Sequence, residues 1–198
     1  LIIMKRKAEV ERKTKETDIK ISLVIDGQGQ TNIATGIPFF DHMLTLLAVH
    51  GFFDLSVRAA GDLDVDFHHT VEDVGLVLGD TIREALGQRQ GIKRYGQAVT
   101  PMDDALATVT IDLSNRPYLV YNVAEYPVSG IALSPSLTKE FFRALVSRAG
   151  MNLHINVAYG DNDHHVVESI FKAFGRALDQ AASIDGRITG VRSSKGSL

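Results

Sequence analysis

The chain has 198 residues, of which 44% are hydrophobic and 23% are charged, and it contains 17 glycines, 5 prolines and no cysteine. This composition excludes disordered and fibrous classes, and without cysteine there are neither disulfides nor thiolate metal ligands. The formal net charge of -3 excludes an overall basic field that would attract nucleic acid or an anionic membrane.

The first half of the chain is predicted to contain two strands and two helices. Residues 18–26 alternate apolar and polar side chains and predict a half-buried strand, and residues 53–59 predict a second one. Between them an apolar run opens at Pro38 and stops at Gly51, as expected for a buried helix with a glycine C-cap. A longer helix is predicted from about His68 to Gly87, where apolar residues recur at helical spacing.

The second half repeats this order. It has predicted strands at 106–113, 117–124 and 152–158 and predicted helices at 137–149 and 164–182. The last helix of each half begins with the pattern His-His-x-x-Glu. We therefore predict an internal duplication, with a first half at 4–92 and a second at 93–198 packed as a single unit. The expected fold is α/β of the α+β type, and each half lays two helices on one face of a mostly antiparallel sheet.

The repeated histidine pattern predicts a metal site. On a helix that turns about 100° per residue, positions i, i+1 and i+4 lie within one sector. One such pattern alone is more typical of solvated histidines at a helix start, but two copies favour metal ligation. The rings of adjacent histidines diverge, so we expect more than one ion. The repeated residues are His68, His69, Glu72, His164, His165 and Glu168.

Two further ligands are predicted from the repeat. His42 and Glu140 lie at equivalent positions in the helix that precedes each His-His pair. Taken alone, His42 is compatible with a core histidine and Glu140 with a solvated charge. Histidine and carboxylate donors without sulfur suit Mn²⁺, Fe²⁺, Co²⁺ or Zn²⁺.

A basic set of residues predicts a phosphate site. Arg94, Arg116 and the tail Arg192-Ser193-Ser194-Lys195-Gly196 offer cations and hydroxyl donors, which a phosphate monoester needs. Lys172 lies one helical turn after Glu168. The alternative is that these cations are solvated surface, and that Lys172 forms only a weak ion pair with Glu168.

Several segments together resemble a known enzyme family. They are Phe40-Asp41-His42-Met43-Leu44, Asp66-Phe67-His68-His69-Thr70-Val71-Glu72-Asp73, Ser114-Asn115-Arg116-Pro117-Tyr118, Asp163-His164-His165-Val166-Val167-Glu168, Phe171-Lys172-Ala173-Phe174 and Ser193-Ser194-Lys195-Gly196. The chain resembles the imidazoleglycerol-phosphate dehydratases of histidine biosynthesis over nearly its whole length. The resemblance implies loss of water from D-erythro-imidazoleglycerol phosphate to give imidazoleacetol phosphate.

The resemblance also implies an architecture and an assembly. The halves should be similar to the second domain of ribosomal protein S5, in a homo-oligomeric shell of 24 subunits whose interfacial active sites each hold two Mn²⁺. We expect a cytoplasmic location, because no membrane-spanning stretch or signal-peptide pattern is evident, and we expect neither nucleic acid nor membrane as a partner.

Residue roles are likewise implied by the resemblance. The metal ligands would be His42, His68, His69, Glu72, Glu140, His164, His165 and Glu168. Glu16 is the first choice for the carboxylate that moves protons, and Asp103 is the second. Substrate contacts would be Glu16, His42, His50, His68, Glu72, Arg94, Arg116, Lys172, Ser193, Ser194 and Lys195.

The chain departs from the family at two places. Many relatives have His where this chain has Glu140, and they commonly have Asp-Glu where it has Asp103-Asp104. His154, on a predicted strand, is interpreted as structural. A di-metal phosphatase and a metal-storage shell would use similar ligands and stay open as alternatives. A nucleic-acid module is poorly supported by the net charge, and fold alone does not fix function.

Overall fold

A computed structural model describes residues 6–124 and 132–196 of the chain. Met4 and Lys5, the first residues of the predicted first half, lie outside the described residues. The elements in chain order are β1 (Lys7–Lys13), β2 (Thr17–Val24), β3 (Thr31–Ala34), α1 (Pro38–His50), β4 (Asp54–Gly61), α2 (His68–Leu86), β5 (Tyr95–Met102), β6 (Ala105–Asp112), β7 (Tyr118–Asn122), α3 (Pro135–Ala149), β8 (Asn152–Tyr159) and α4 (Asp163–Ala182).

The strands form two four-stranded sheets of the same design. The first has the order β1-β2-β4-β3 and the second the order β5-β6-β8-β7. In each sheet the first three strands are antiparallel to one another, and the last strand pairs in parallel with its neighbour. The predicted fold class, with two similar halves and mostly antiparallel sheets, is therefore confirmed.

The predicted strands β2 and β6 alternate buried side chains with half-buried or exposed ones, as a sheet with one covered face requires, whereas β7 has no buried side chain. Along β2, the side chains of Ile19, Ile21 and Leu23 enter the core. The strands β1, β3 and β5 were not predicted. β1 is an edge strand with exposed charged side chains, and β3 has four mostly exposed residues.

β5 escaped prediction for a different reason, since its inward side chains are small. A Cβ atom on Gly96 would lie 1.9 Å from the Ala177 carbonyl oxygen, so α4 passes directly over this strand. The close approach of α4 requires Gly96. Because the buried residues of β5 are small, the sequence lacks the alternation of large apolar side chains by which a strand is predicted.

The predicted glycine C-cap of α1 is confirmed, since Gly51 ends the helix and its amide donates to the Leu47 carbonyl oxygen. Gly51 has φ -96° and not the left-handed conformation, which Phe52 adopts instead with φ 56°. Gly51 is required for space, because a Cβ atom there would lie 2.3 Å from the ring of Phe53 and 2.9 Å from the Gly175 carbonyl oxygen.

The start of α3 differs from the predicted start at residue 137. The helix begins at Pro135 because the hydroxyl of Ser134 caps it, accepting a hydrogen bond from the Leu137 amide at 3.2 Å.

The helices of the two halves pack on one another. α2 lies on β1 and β2 and contacts α3, whereas α4 lies on β5 and β6 and contacts α1. One hydrophobic core runs through both halves, and the rings of Phe40 and Phe141 meet edge to face with centroids 5.4 Å apart. Consequently α1 of the first half and α4 of the second present their side chains to the same region. Within the described parts of the chain, no helix is long and apolar enough to cross a membrane.

Candidate functional site

Three predicted metal ligands converge at the contact between α1 and α4. Nε2 of His42 lies 2.9 Å from Oε1 of Glu168, and Nε2 of His164 lies 3.1 Å from the same oxygen. These ligand atoms all lie within 4.8 Å of one another. In residues 6–124 and 132–196 this is the one group of three or more histidine and carboxylate side chains with such spacing.

Local sequence and helix packing place these side chains. The carboxamide oxygen of Asn162 caps α4 by accepting a hydrogen bond from the His164 amide at 2.9 Å, so His164 opens the helix and Glu168 lies one turn later. A Cβ atom on Gly175 would lie 2.3 Å from the Leu47 carbonyl oxygen. The glycine therefore allows α1 and α4 to approach closely enough for His42 to reach Glu168.

Glu168 is a buried carboxylate surrounded by donors, and its side chain is only 7% exposed. Burial raises its pKa, but hydrogen bonds from Lys172, His42 and His164 oppose burial and lower the pKa to about 2. Nζ of Lys172 donates to Oε2 of Glu168 at 2.7 Å and also lies 3.1 Å from Sδ of Met102. Glu168 is therefore anionic at neutral pH and keeps one oxygen turned towards the two histidines.

The remaining predicted ligands of the first half are less closely grouped. Nε2 of His68 lies 3.5 Å from Oε2 of Glu72. The carboxylate of Glu140 accepts a hydrogen bond from Arg143 at 2.8 Å instead of joining that pair. Within one chain, Glu140 does not join the other predicted metal ligands. Its role as a ligand therefore stays a prediction.

The second histidine of each His-His pair is held by a carboxylate. Nδ1 of His69 donates to Asp62 at 3.0 Å, and Nδ1 of His165 donates to Asp104. These hydrogen bonds raise the pKa of both histidines, and the bond with His165 holds the pKa of Asp104 well below its usual range. A carboxylate on Nδ1 fixes the ring and leaves Nε2 as the nitrogen that can bind a ligand.

Both candidate proton-transfer carboxylates lie beside these histidines. Oε2 of Glu16 is 3.9 Å from Nδ1 of His69, and Oδ2 of Asp103 is 3.6 Å from Nε2 of His165. Both side chains are exposed, at 57% and 72%. The acids occupy the turn that joins the first two strands of each sheet, so the duplication extends to them.

The sequence interpretation assigned no role to Asp62 or Asp104. Asp104 directly precedes β6 as Glu16 directly precedes β2, and this repeated position was a signal that could have found it. Asp62 had no signal beyond its place in an acidic stretch, because only the folded chain shows that it faces His69.

The predicted basic residues form a separate pocket. A cavity of about 400 Å³ is lined by Arg94, Tyr95, Ser114, Asn115, Arg116, Ser193, Ser194 and Lys195. The structure thus brings together all the predicted phosphate contacts except Lys172. Tyr95, Ser114 and Asn115 were not predicted as site residues.

Arg94 fixes one wall of this pocket. Its Nε and Nη2 donate to the Asp112 carboxylate at 2.6 and 3.1 Å, which raises the pKa of the guanidinium. Nη1 donates to the Arg192 carbonyl oxygen at 2.7 Å. Arg94 therefore fastens the tail against the second sheet and places Ser193 and Lys195 at the pocket, a role for which Asp112 is also needed.

The group of His42, His164 and Glu168, called the cluster below, and the basic pocket lie at opposite ends of α4. His164 opens the helix, whereas the Arg94 amide donates to the Ala181 carbonyl oxygen near its end, at 2.9 Å. At a rise of about 1.5 Å per residue, the intervening ~17 residues span about 26 Å. A small substrate cannot touch both sites of one chain. The structure therefore does not bring Lys172, beside the cluster, to the pocket.

His50 and His154 belong neither to a His-His pair nor to the group around Glu168, and they lie in different surroundings. His50 ends α1 half-buried, and burial together with Lys172 and Arg176 lowers its pKa. His154 is exposed on β8, opposite Thr110 of β6. Lys172 therefore lies close enough to His50 to affect its charge, whereas His154 lies on the outer face of the second sheet.

Comparison with known proteins gives a consistent result. Residues 35–178 match the family described as imidazoleglycerol-phosphate dehydratase. Relatives of that name from Desulfosudis oleivorans and Geobacter sulfurreducens are 60% and 58% identical, over 98% of this chain and the full length of each relative.

Solved structures of the same name are also similar. The protein from Staphylococcus aureus has a TM-score of 0.79 at 38% identity, with 90% of this chain and 99% of the other covered. The protein from Pyrococcus furiosus, in complex with (S)-C348, has a TM-score of 0.82 at 38% identity, with 96% and 100% covered.

Proposed function

The chain belongs to the imidazoleglycerol-phosphate dehydratase family, and from that premise we propose how its own residues carry out the reaction. It is a hydro-lyase that dehydrates imidazoleglycerol phosphate in histidine biosynthesis. The observation that carries the residue assignments is the convergence of His42, His164 and Glu168 across the two halves of the fold.

We assign His42, His164 and Glu168 as ligands of a divalent transition metal. Two imidazole nitrogens and an anionic carboxylate oxygen within 4.8 Å fit such an ion, and Glu168 is already held as the anion by Lys172. The bound metal would supply Lewis-acid charge at the reacting centre. The assigned cofactor is two Mn²⁺ per active site, and the ligand set is completed by His68, His69, Glu72, Glu140 and His165.

The basic pocket is assigned to the substrate phosphate. Arg116 and Lys195 make no ion pair within residues 6–124 and 132–196, so their charges remain available to a dianion. Arg94 is matched by Asp112, and its main contribution is to hold the tail in place. Ser193 and Ser194 add hydroxyl donors at the wall of the pocket.

Glu16 is assigned the transfer of the carbon-bound proton. Its carboxylate is exposed and lies beside His69, so it can accept a proton and pass it on. Hydroxide leaves first, from the carbon next to the imidazole, and Glu16 then takes the proton of the neighbouring carbon. The hydroxide and that proton together make up the water released, and the resulting enol tautomerises to imidazoleacetol phosphate. Asp103, beside His165 in the second half, is the second choice for this role.

We further propose that each active site is completed by another copy of the chain. The placement of the cluster and the phosphate pocket at opposite ends of α4, whose residues 164–181 span about 26 Å, supports this, because one substrate must contact both. Lys172, which is remote from the pocket of its own chain, would then face the pocket of a neighbour. The assigned assembly is a homo-oligomer of 24 subunits, and a cytoplasmic location stays a prediction.

The test combines metal analysis with an assay of the purified protein on imidazoleglycerol phosphate. Activity should be lost with a chelator and restored by Mn²⁺, with imidazoleacetol phosphate formed and no inorganic phosphate released. Full activity of a demonstrably metal-free protein would refute the metal assignment. Bound metal that can be removed without loss of turnover would refute the role of the cluster in the reaction.

A further inference from the structure

One side chain outside the phosphate pocket holds the turn that carries Arg116. Asn152, the first residue of β8, donates from its amide nitrogen to the Arg116 carbonyl oxygen at 2.6 Å. The same nitrogen lies 3.4 Å from the hydroxyl oxygen of Ser114. Asn152 is not among the residues that line the pocket, so it contacts the turn and not a bound phosphate.

The turn has a specific backbone conformation that its own residues only partly fix. Asn115 has φ 59°, a left-handed conformation that asparagine adopts more readily than most residues other than glycine. Pro117 follows directly and restricts the backbone of Arg116. Asn115, Arg116 and Pro117 are all exposed, so packing alone does not fix them.

The turn between α3 and β8, which precedes Asn152, is held in place by its own contacts. Gly150 has φ 63°, and a Cβ atom there would lie 2.8 Å from the carboxamide oxygen of Asn115. The buried guanidinium of Arg89 donates to the carbonyl oxygens of Gly150, at 2.9 Å, and Ala149, at 2.6 Å. Its positive charge is favourable there because it lies at the carboxyl end of α3. Arg89 thus fixes the turn between α3 and β8, from which Asn152 projects.

We propose that Asn152 is a positioning residue for the phosphate pocket, because its carboxamide fixes the 114–116 turn and thereby sets the place of the Arg116 side chain. The proposal rests on the proposed function, in which Arg116 binds the substrate phosphate. It assigns to Asn152 an effect on substrate affinity and not on the chemical step at the remote metal cluster.

The first test is Asn152→Ala in the full, metal-loaded protein. Loss of the hydrogen bonds should raise both the KM for imidazoleglycerol phosphate and the Kd for inorganic phosphate by about three- to tenfold, with kcat changed less than about twofold. Asn156→Ala is the matched control, since Asn156 lies on the same strand and its carboxamide oxygen accepts a hydrogen bond from Asn122 on the sheet surface. It should leave both constants unchanged. If Asn152→Ala does not fold, Asn152→Thr removes the amide while retaining a residue suited to a strand.

The second test separates this proposal from the function on which it rests. If Asn152 acts through Arg116, phosphate should bind to Arg116→Ala/Asn152→Ala no more weakly than to Arg116→Ala. Additive losses of phosphate affinity would overturn the positioning role, as would a folded Asn152→Ala variant with unchanged KM and Kd. Unchanged phosphate affinity in Arg116→Ala alone would instead refute the phosphate pocket.

Discussion

Glu168 is the residue at which the two halves of the fold meet chemically. It receives donors from α1 through His42 and from its own helix through His164 and Lys172. A buried carboxylate is costly unless it is paired and hydrogen-bonded, and these partners meet that requirement. Glu168 therefore contributes both to the stability of the fold and to the proposed metal site.

The stability of the metal-free protein should depend on pH through Glu168. Because its folded pKa of about 2 is below the ordinary value of 4.5, the unfolded state binds more protons between these values. The stabilisation is complete above the ordinary pKa and is lost as pH falls towards 2. It is on the order of 3 kcal/mol at neutral pH.

Urea unfolding of the wild type and Glu168→Gln should show this directly. The difference in their free energies of unfolding should be large at pH 7 and shrink steadily from pH 5 to pH 3. Glu84→Gln, at an exposed position of α2, is the matched control for the loss of a carboxylate. A constant difference for Glu168→Gln over the same range would contradict the assignment.

Glu16 provides a second prediction at the level of a single residue. Glu16→Gln should lower kcat by about 100-fold or more, because an amide cannot accept the carbon-bound proton. Metal content should stay unchanged, since Glu16 lies outside the cluster of His42, His164 and Glu168. Steady-state kinetics and metal analysis of the same preparation would check both. Glu9→Gln, which alters an exposed ion pair with Lys20, is the control. Near-normal turnover of Glu16→Gln would eliminate it as the base.

Close helix packing decides which ligands meet. α1 and α4 come from different halves, and they approach closely at Gly175 and Leu47. Glycine within a helix is normally unfavourable by about 1 kcal/mol relative to alanine. Here the absence of a side chain at Gly175 allows the contact between α1 and α4. Tertiary packing therefore outweighs the low helix propensity of glycine.

Gly175→Ala should therefore destabilise the protein despite the better helix former. We expect a loss of about 1–3 kcal/mol, because the new Cβ atom would lie 2.3 Å from a backbone oxygen and α1 must shift. Metal affinity should fall too, since the shift moves His42 away from Glu168. Thermal unfolding and metal titration would measure these effects. Gly186→Ala, where a Cβ atom meets nothing within 4 Å, should change neither. Unaltered stability and metal affinity in Gly175→Ala would show that the contact is not limiting.

The duplication explains the arrangement of the whole molecule. Each half supplies a sheet, two helices and a His-His-x-x-Glu pattern, but the helices pair across the halves. Family membership resolves the choice between a dehydratase and the phosphatase or storage shell that the ligand pattern alone left open. The distance between the cluster and the pocket then leads to the proposal of shared sites.

Mixed assemblies should test that proposal. Arg116→Ala and His164→Ala should each be nearly inactive when unfolded and refolded alone with Mn²⁺. If one copy supplies the pocket and another the cluster, co-refolding equal amounts should restore up to about a quarter of wild-type activity, because that fraction of sites draws on two intact regions. Wild-type protein refolded in the same way provides the reference. Mixtures no more active than the separate variants would show that both regions act within one chain.

Much of the fold was predictable because its signals are local. Alternation along β2 and the repeated pattern at His68 and His164 depend on neighbouring residues only, as do the predicted positions of all four helices. β1, β3 and β5 were missed because charged, short or small-residue strands carry little apolar alternation. The sequence interpretation identified Glu16, Asp103 and the basic residues as candidates, but it assigned no role to Asp62, Asp104, Asp112 or Asn152. Their contacts depend on residues distant in the chain.

The sequence by itself determined the duplicated fold, the donor types and the family, since these depend on composition, periodicity and motifs. Only the tertiary structure decided that His42 meets Glu168 of the other half, while Glu140 pairs with Arg143. It also decided that the basic pocket lies at the far end of α4 from the cluster. The physical reason is that helix packing at Gly175 and sheet pairing at β8 set distances between residues far apart in the chain, which no local pattern records.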